Sequence, residues 1–170
     1  MRRMRLVMLA GLLAAVGAHL VNRPDAAPPD SISLELIRYE TLGDRVQELS
    51  GRVVIVDFWA TYCLPCKKEF PRLVELHRKY AAKGLAAVSV SLDDPTDEQA
   101  RASAKDFLTE KQATISNFVL DEKIEFWQAK LKIDGPPCVF VFDRKGRLVK
   151  KYHDDVDYGE IDRIVADLLR

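Results

Sequence analysis

Two cysteines three positions apart, Cys63 and Cys66, are the residues with the clearest chemical potential in this chain. They follow a run of β-branched and aromatic residues at 53–59 (VVIVDFW) and precede a segment with helical periodicity. A thiol at the start of a helix lies near free backbone N–H groups and the positive end of the helix dipole, and both stabilise a thiolate. Such a position can lower the pKa of a cysteine from about 8.5 into roughly the 3.5–7.5 range. The spacing therefore predicts a redox-active pair in which Cys63 attacks and Cys66 resolves the mixed disulfide.

Three other interpretations of the cysteine pair compete with redox exchange. A structural zinc site needs about four ligands, and the sequence has no second C-x-x-C or H-x-H partner. A purely structural disulfide would close a loop too short to stabilise the fold much. Binding of copper or haem iron is the third alternative. The residues favour redox exchange over all three.

Length, composition and charge exclude several classes of protein. The 170 residues suit one compact core. Because 26 basic residues balance 26 acidic ones, no surface-wide basic field for nucleic acid is expected. Three cysteines are too few for a disulfide scaffold. The sequence shows no organic cofactor motif, so no cofactor and no resident metal are expected.

The N-terminal residues are predicted to lie outside the folded domain. Three arginines among the first five residues precede an apolar run at 6–21. A helix of that length spans about 24 Å, which is shorter than a hydrocarbon core of about 30 Å. Residues 1–21 are therefore predicted to be a signal peptide or a short membrane anchor, and both alternatives imply export. Residues 22–31 contain three prolines and are predicted to form an extended linker.

Residues 32–170 are predicted to form one domain in which strands alternate with helices. Apolar and alternating runs predict strands at 34–39, 53–59, 85–92, 117–120, 139–142 and 148–152. Apolar residues at three- and four-residue spacing predict helices at 66–82, 97–111, 121–131 and 159–169, with a helical turn at 44–49. The last two strands are joined by a hairpin turn. The elements predict an α/β domain with a central mixed β-sheet and helices on both faces.

The string WATYCLPCKKEFP at 59–71, preceded by VVIVDF, resembles the active site of thioredoxin-like proteins. It is most similar to the exported bacterial thiol–disulfide oxidoreductases of the TlpA/ResA type. The resemblance continues in LAAVSVSLD at 85–93, and in Gly135-Pro136-Pro137 before the next strand, so that it covers residues 34–170. It implies a thioredoxin fold with an inserted helix–strand segment and an N-terminal extension. It also implies exchange of a Cys63–Cys66 disulfide with protein partners.

The resemblance implies roles for residues around the dithiol. Asp57, a charged residue in an apolar strand, is expected to be a buried proton acceptor that helps to deprotonate Cys66. An Asp that caps a turn at the edge of the strand is the alternative. Pro137 is the expected cis-proline beside the dithiol, in a loop that accepts the substrate as an added extended strand. Because Pro136 has no N–H, one hydrogen bond to the substrate is expected to be lost.

Four residues are expected to form the substrate-binding surface: Trp59, Tyr62, Pro136 and Cys138. Trp59 and Tyr62 would flank and shield the dithiol, although core packing alone would explain Trp59. Cys138 stands where related proteins often carry Thr, and it would lie close to the dithiol. It is expected to trap a mixed disulfide, to bind a metal together with Cys63, or to be an inert buried residue, and the last is favoured.

The resemblance also implies a physiological setting. The protein is expected to be a reductant in the bacterial periplasm or at another extracytoplasmic face, with membrane contact only through its N-terminal segment. Because that compartment is oxidising, its electrons are expected to come from a membrane thiol-transfer protein. The implied substrates are a C-x-x-C-H site in a cytochrome c precursor or the cysteines of a copper-site protein. A Cu(I)-handling protein that uses all three cysteines, and a redox-inert interaction module, are the alternatives.

Overall fold

A computed structural model describes residues 32–170, and a six-stranded sheet forms its centre. The strands are β1 (Glu35–Ile37), β2 (Val53–Trp59), β3 (Leu85–Ser91), β4 (Ser116–Leu120), β5 (Cys138–Phe142) and β6 (Leu148–His153). Their order across the sheet is β1-β4-β3-β2-β5-β6. The first four strands in this order are parallel, whereas β5 is antiparallel to β2 and β6 is antiparallel to β5. The sheet is therefore mixed, as the sequence predicts.

Five helices cover the two faces of the sheet in this part of the chain. They are α1 (Tyr39–Glu48), α2 (Leu64–Tyr80), α3 (Glu98–Glu110), α4 (Ile124–Leu131) and α5 (Tyr158–Leu168). Buried residues of α2, α3 and α5 pack in one hydrophobic core, and those of α1 and α4 pack in the other. The predicted fold class, a central mixed sheet with helices on both faces, is confirmed.

The two central strands, β2 and β3, separate these cores. All seven residues of each strand are buried, because helices cover the sheet on both sides. Side chains alternate along β2, so that Ile55 and Trp59 face the α2 side while Val56 and Phe58 face the α1 side. By the same alternation, Asp57 faces the α2 side.

The N-terminal part of the domain differs from the prediction. The predicted strand at 34–39 is only three residues long, and the predicted helical turn at 44–49 belongs to the ten-residue helix α1, which begins at Tyr39. The Tyr39 ring packs edge-on against Phe126 of α4 at 5.9 Å, and the Tyr39 N–H donates to Glu122. These partners lie more than 80 positions away, so the local pattern does not reveal them.

The predictions for residues 1–21 and 22–31 lie outside the described residues. From residue 32 onward, none of the helices has the length and apolar character that a membrane crossing requires.

Candidate active site

The two cysteines form a disulfide at the start of α2, just after the segment that connects this helix to β2. Their Cα atoms are 5.3 Å apart. Cys63 occupies the N-cap position of α2, and its Sγ accepts a hydrogen bond from the backbone N–H of Cys66 at 3.3 Å. Pro65 lies in the first turn, where the helix needs no N–H donor. The prediction that the C-x-x-C segment opens a helix is confirmed.

Both cysteines are almost buried, but the residues beside Cys63 are not. In the disulfide form Cys63 is 6% exposed and Cys66 is 5% exposed, so the two cysteines do not differ in accessibility. Tyr62 is 65% exposed and Leu64 is also exposed. The first turn of α2 carries no acidic residue, so no carboxylate there opposes a thiolate at the positive end of the helix.

A buried carboxylate after β3 holds the backbone that leads into Cys63. Both oxygens of Asp93 accept the Thr61 N–H at 3.1 and 3.0 Å, and the Thr61 hydroxyl donates to Oδ1 at 2.7 Å. The Ser91 hydroxyl donates to Oδ2 at 2.6 Å. These donors compensate the buried charge. Sequence reasoning missed this anchor, although Asp93 follows the carboxyl end of a buried parallel strand, where site residues often lie.

Asp57 lies on the same face of the sheet as the disulfide and is 5% exposed. The Tyr158 hydroxyl, from the start of α5, donates to Asp57 Oδ2 at 2.7 Å. Burial raises the pKa of Asp57 to about 7, although the hydrogen bond from Tyr158 lowers it in part. Because Asp57 lies inside β2 and its carboxylate accepts a hydrogen bond from Tyr158, the alternative of a turn cap at the strand edge is wrong. Sequence reasoning missed Tyr158, which has no local signal.

The peptide bond between Pro136 and Pro137 is cis, as expected for the proline before β5. Cys138, the next residue, pairs with Phe58 near the end of β2. The proline loop therefore lies at the end of the sheet from which the C-x-x-C segment leaves. The Pro137 carbonyl accepts a hydrogen bond from the Asp154 N–H at 3.2 Å, which ties the loop to the end of β6.

The structure corrects the expectation that Trp59 and Cys138 contact the substrate, because neither side chain is exposed. Trp59 is a core residue whose ring lies 5.3 Å from Phe70 and 5.0 Å from Phe107. Cys138 packs on the α1 side of the sheet, opposite to the face that holds Cys63. Burial raises the pKa of the Cys138 thiol to about 12, so this free thiol stays protonated.

The placement of Cys138 also bears on the three-cysteine copper alternative. The sheet separates its side chain from the other two cysteines, so the three sulfur atoms do not converge. Within residues 32–170, no group of three His, Cys, Asp or Glu side chains is arranged to hold a metal ion.

An open cleft of about 840 Å³ lies beside the segment that leads into Cys63. Tyr62 lines one side, and the start of α4, with the exposed side chain of Ile124, lines another. Five carboxylates and two basic side chains line the cleft. These side chains give the cleft an excess of negative charge.

Comparison with known proteins places the chain in a family. The family model described as thioredoxin-like matches residues 51–148. The chain belongs to the thioredoxin-like family. ResA, a thiol-disulfide oxidoreductase of Oceanobacillus iheyensis, is 36% identical over 95 residues, which are 52% of this chain and 49% of that protein. ResA of Geobacillus thermodenitrificans is 26% identical over 153 residues, which are 86% of this chain and 84% of that protein.

Solved structures agree with this family. The crystal structure of a thiol:disulfide interchange protein from Chlorobium tepidum matches with a TM-score of 0.57 and 27% identity, over 73% of this chain and 84% of that one. The chain spans about half the length of the first ResA relative. Family model, fold and relatives together identify a thioredoxin-like protein that is similar to the ResA thiol-disulfide oxidoreductases.

Proposed function

We propose that the chain catalyses thiol–disulfide exchange with protein partners through Cys63 and Cys66. One observation carries this proposal: the two sulfur atoms form a disulfide at the N-terminus of α2, where the Cys66 N–H donates to the Cys63 sulfur. In the reduced protein the same N–H and the helix dipole would face a thiolate. The relatives named as thiol-disulfide oxidoreductases support the same chemistry.

The reaction has two exchange steps. The Cys63 thiolate attacks a substrate disulfide, a mixed disulfide forms, and one substrate sulfur leaves as a thiolate. Cys66 then loses its proton and attacks the Cys63 sulfur. This second step closes the Cys63–Cys66 disulfide and releases the other substrate sulfur. Two electrons pass from the protein to the substrate in each cycle.

Asp57 is the proposed acceptor of the Cys66 proton. It lies on the dithiol side of the sheet, and burial raises its pKa to about 7. A carboxyl with this pKa is ionised in a large fraction of molecules at neutral pH, and it holds a proton readily. These are the properties that a general base for a thiol requires.

The proposed substrate site combines the cis-proline loop with the exposed ring of Tyr62. Pro137 and Pro136 are half-buried at the end of the sheet from which the dithiol segment leaves. An extended substrate segment would pair with this loop, with one hydrogen bond fewer because Pro136 has no N–H. The acidic cleft beside Tyr62 supports a protein substrate over a small enclosed ligand.

The proposed direction is reduction of exported proteins, with electrons from a membrane thiol-transfer protein. A strong oxidant stabilises its reduced thiolate, and Leu64, between the cysteines, supplies no charge for this. Equilibration with glutathione tests the direction. A potential nearer to the value of about −270 mV for thioredoxin than to the value of about −120 mV for DsbA would support a reductant. Precursors of cytochrome c and copper-site proteins are the proposed substrate classes.

A trapping experiment tests the exchange chemistry itself. In Cys66→Ser the mixed disulfide at Cys63 cannot be resolved, so covalent adducts with proteins of the native compartment should accumulate and be identified by mass spectrometry. Cys63→Ser is the matched control and should trap none. Adding Cys138→Ala to each variant excludes capture by the third thiol. Absence of adducts, together with a dithiol that does not react at neutral pH, would support a redox-inert module instead.

A further inference from the structure

A buried hydrogen bond joins the last helix to the centre of the sheet. Tyr158 is the first residue of α5 and is buried, and its hydroxyl donates to Asp57 Oδ2 at 2.7 Å. The Asp157 carboxylate caps the same helix by accepting the N–H groups of Gly159 and Glu160. Because the helix start is fixed in this way, the Tyr158 ring has a defined position above β2.

We propose that Tyr158 is a positioning residue that orients the Asp57 carboxylate and sets how readily it takes the proton of Cys66. This proposal rests on the proposed function of Asp57. A hydroxyl that donates to a carboxylate favours the ionised form of the acid. Tyr158 thus keeps a fraction of Asp57 available as a base at neutral pH, in spite of its burial.

The hydrogen bond also assigns separate tasks to the two carboxylate oxygens. Oδ2 accepts the Tyr158 hydroxyl, so Oδ1 is the proposed acceptor of the Cys66 proton. As Cys66 loses this proton, its sulfur bonds to Cys63, and the bond between Cys63 and the substrate sulfur breaks. The substrate thiolate then takes a proton from water. Tyr158 keeps its own proton throughout, because burial and the Asp57 charge raise its pKa well above 10.

Other ionisable groups near this pair include residues of α2 and β5, and Tyr152 of β6 in the same core. Two residues of α2 affect the pKa of Tyr158 in opposite directions: the charge of Glu69 raises it and the charge of Arg72 lowers it. Burial, and to a smaller extent the charge of Asp57, raises the pKa of Cys138 on β5 to about 12, so this thiol stays neutral. The cysteines at the start of α2 complete the surroundings on the same face. A change in the proton affinity of Asp57 after removal of the Tyr158 hydroxyl therefore reports on the hydrogen bond.

Tyr158→Phe, which deletes only the hydroxyl, tests the proposal directly. In the oxidised protein, NMR titration of the Asp57 carboxyl carbon should show a pKa about one unit above that of the wild type. Tyr152→Phe is the matched control, since Tyr152 is a second buried tyrosine in the same core and makes no hydrogen bond to Asp57. It should leave the pKa of Asp57 unchanged.

The kinetic readout is the resolving step alone. Ellman's reagent forms a mixed disulfide with Cys63 and releases one thionitrobenzoate ion. Stopped-flow absorbance then follows the second thionitrobenzoate ion, which Cys66 releases as the Cys63–Cys66 disulfide closes. From a pKa of about 7, an increase of one unit should slow release about fivefold at pH 7 and leave the rate at high pH unchanged. In the Asp57→Asn background, Tyr158→Phe should not alter the pH profile further.

The outcomes separate this proposal from the one on which it rests. An unshifted pKa of Asp57 in Tyr158→Phe, or an equal shift in Tyr152→Phe, overturns the role of Tyr158. If Asp57→Asn retains the pH profile of the wild type, the proposed role of Asp57 as a base fails, and the catalytic part of the Tyr158 proposal fails with it. A raised pKa with a matching displacement of the rate profile supports both.

Discussion

Replacing Asp57 by Asn should make the oxidised protein harder to unfold at pH 8. The Asp57 side chain is almost buried, and burial raises the pKa of its carboxyl in the folded protein to about 7, against 3.8 for an ordinary Asp. Between these values the unfolded chain has released a proton that the folded protein keeps, so the free energy of unfolding falls as the pH rises. The difference of about three pH units corresponds to about 4 kcal/mol, at about 1.4 kcal/mol per unit.

The direction of this effect follows from the sign of the pKa change. The contribution of Asp57 to stability is fully present below pH 3.8, decreases as the pH rises, and levels off above about 7. Asn is neutral throughout this range, and its side-chain oxygen can still accept the Tyr158 hydroxyl. The free energy of unfolding of Asp57→Asn minus that of the wild type should therefore increase by about 4 kcal/mol between pH 4 and pH 8.

Urea unfolding of both oxidised proteins at a series of pH values measures this difference. Asp97→Asn is a matched control, because Asp97 caps α3 at an exposed position and Asn caps helices equally well. Its difference from the wild type should stay within about 0.5 kcal/mol across the range. If the curve for Asp57→Asn runs parallel to that of the wild type from pH 4 to 8, the carboxyl does not have the raised pKa on which the reasoning depends.

Three further expectations concern the anchor, the third thiol and the core. Asp93→Ala removes the acceptor for Thr61 and should shift the glutathione redox equilibrium of the disulfide, whereas Asp93→Asn keeps an acceptor and should shift it less. Equal shifts would refute the anchoring role. Cys138 should resist iodoacetamide at pH 8 until the protein is unfolded, because it is buried and its pKa is about 12, and mass spectrometry would detect earlier labelling. Phe70→Ala should lower the free energy of unfolding in urea by about 3–5 kcal/mol. The half-buried Phe142→Ala should cost less, and equal losses would contradict the assigned packing.

The elements that position the disulfide could be predicted from local sequence. A strand buried on both faces leaves a continuous apolar run, which marks β2 and β3 without knowledge of their partners. The apolar face of α2 predicts a helix from residue 66, two residues after the helix begins in the structure. Because strand, turn and helix are contiguous, the geometry around the two cysteines follows from about twenty adjacent residues.

Contacts between distant segments could not be predicted in the same way. Tyr158 is 101 positions from Asp57, and its hydrogen bond depends on how α5 packs on the sheet. Cys138 is adjacent to Pro137, which led to the expectation that its thiol lies near the dithiol. The pairing of Cys138 with Phe58 instead sends its side chain to the opposite core. A shift of one residue in register reverses the face, and local sequence does not fix that register.

The most informative residue in the sequence is the one that breaks the local pattern. The other six residues of β2 are apolar, and an apolar residue in place of Asp57 would avoid a penalty of about 4 kcal/mol at neutral pH. That penalty is a large fraction of the 5–15 kcal/mol by which domains are usually stable. The hydrogen bond from Tyr158 offsets only part of it, since the pKa remains near 7. A buried acidic residue that lowers the stability of the fold is expected where the chemistry requires it. Asp57 shares its face of the sheet with the disulfide.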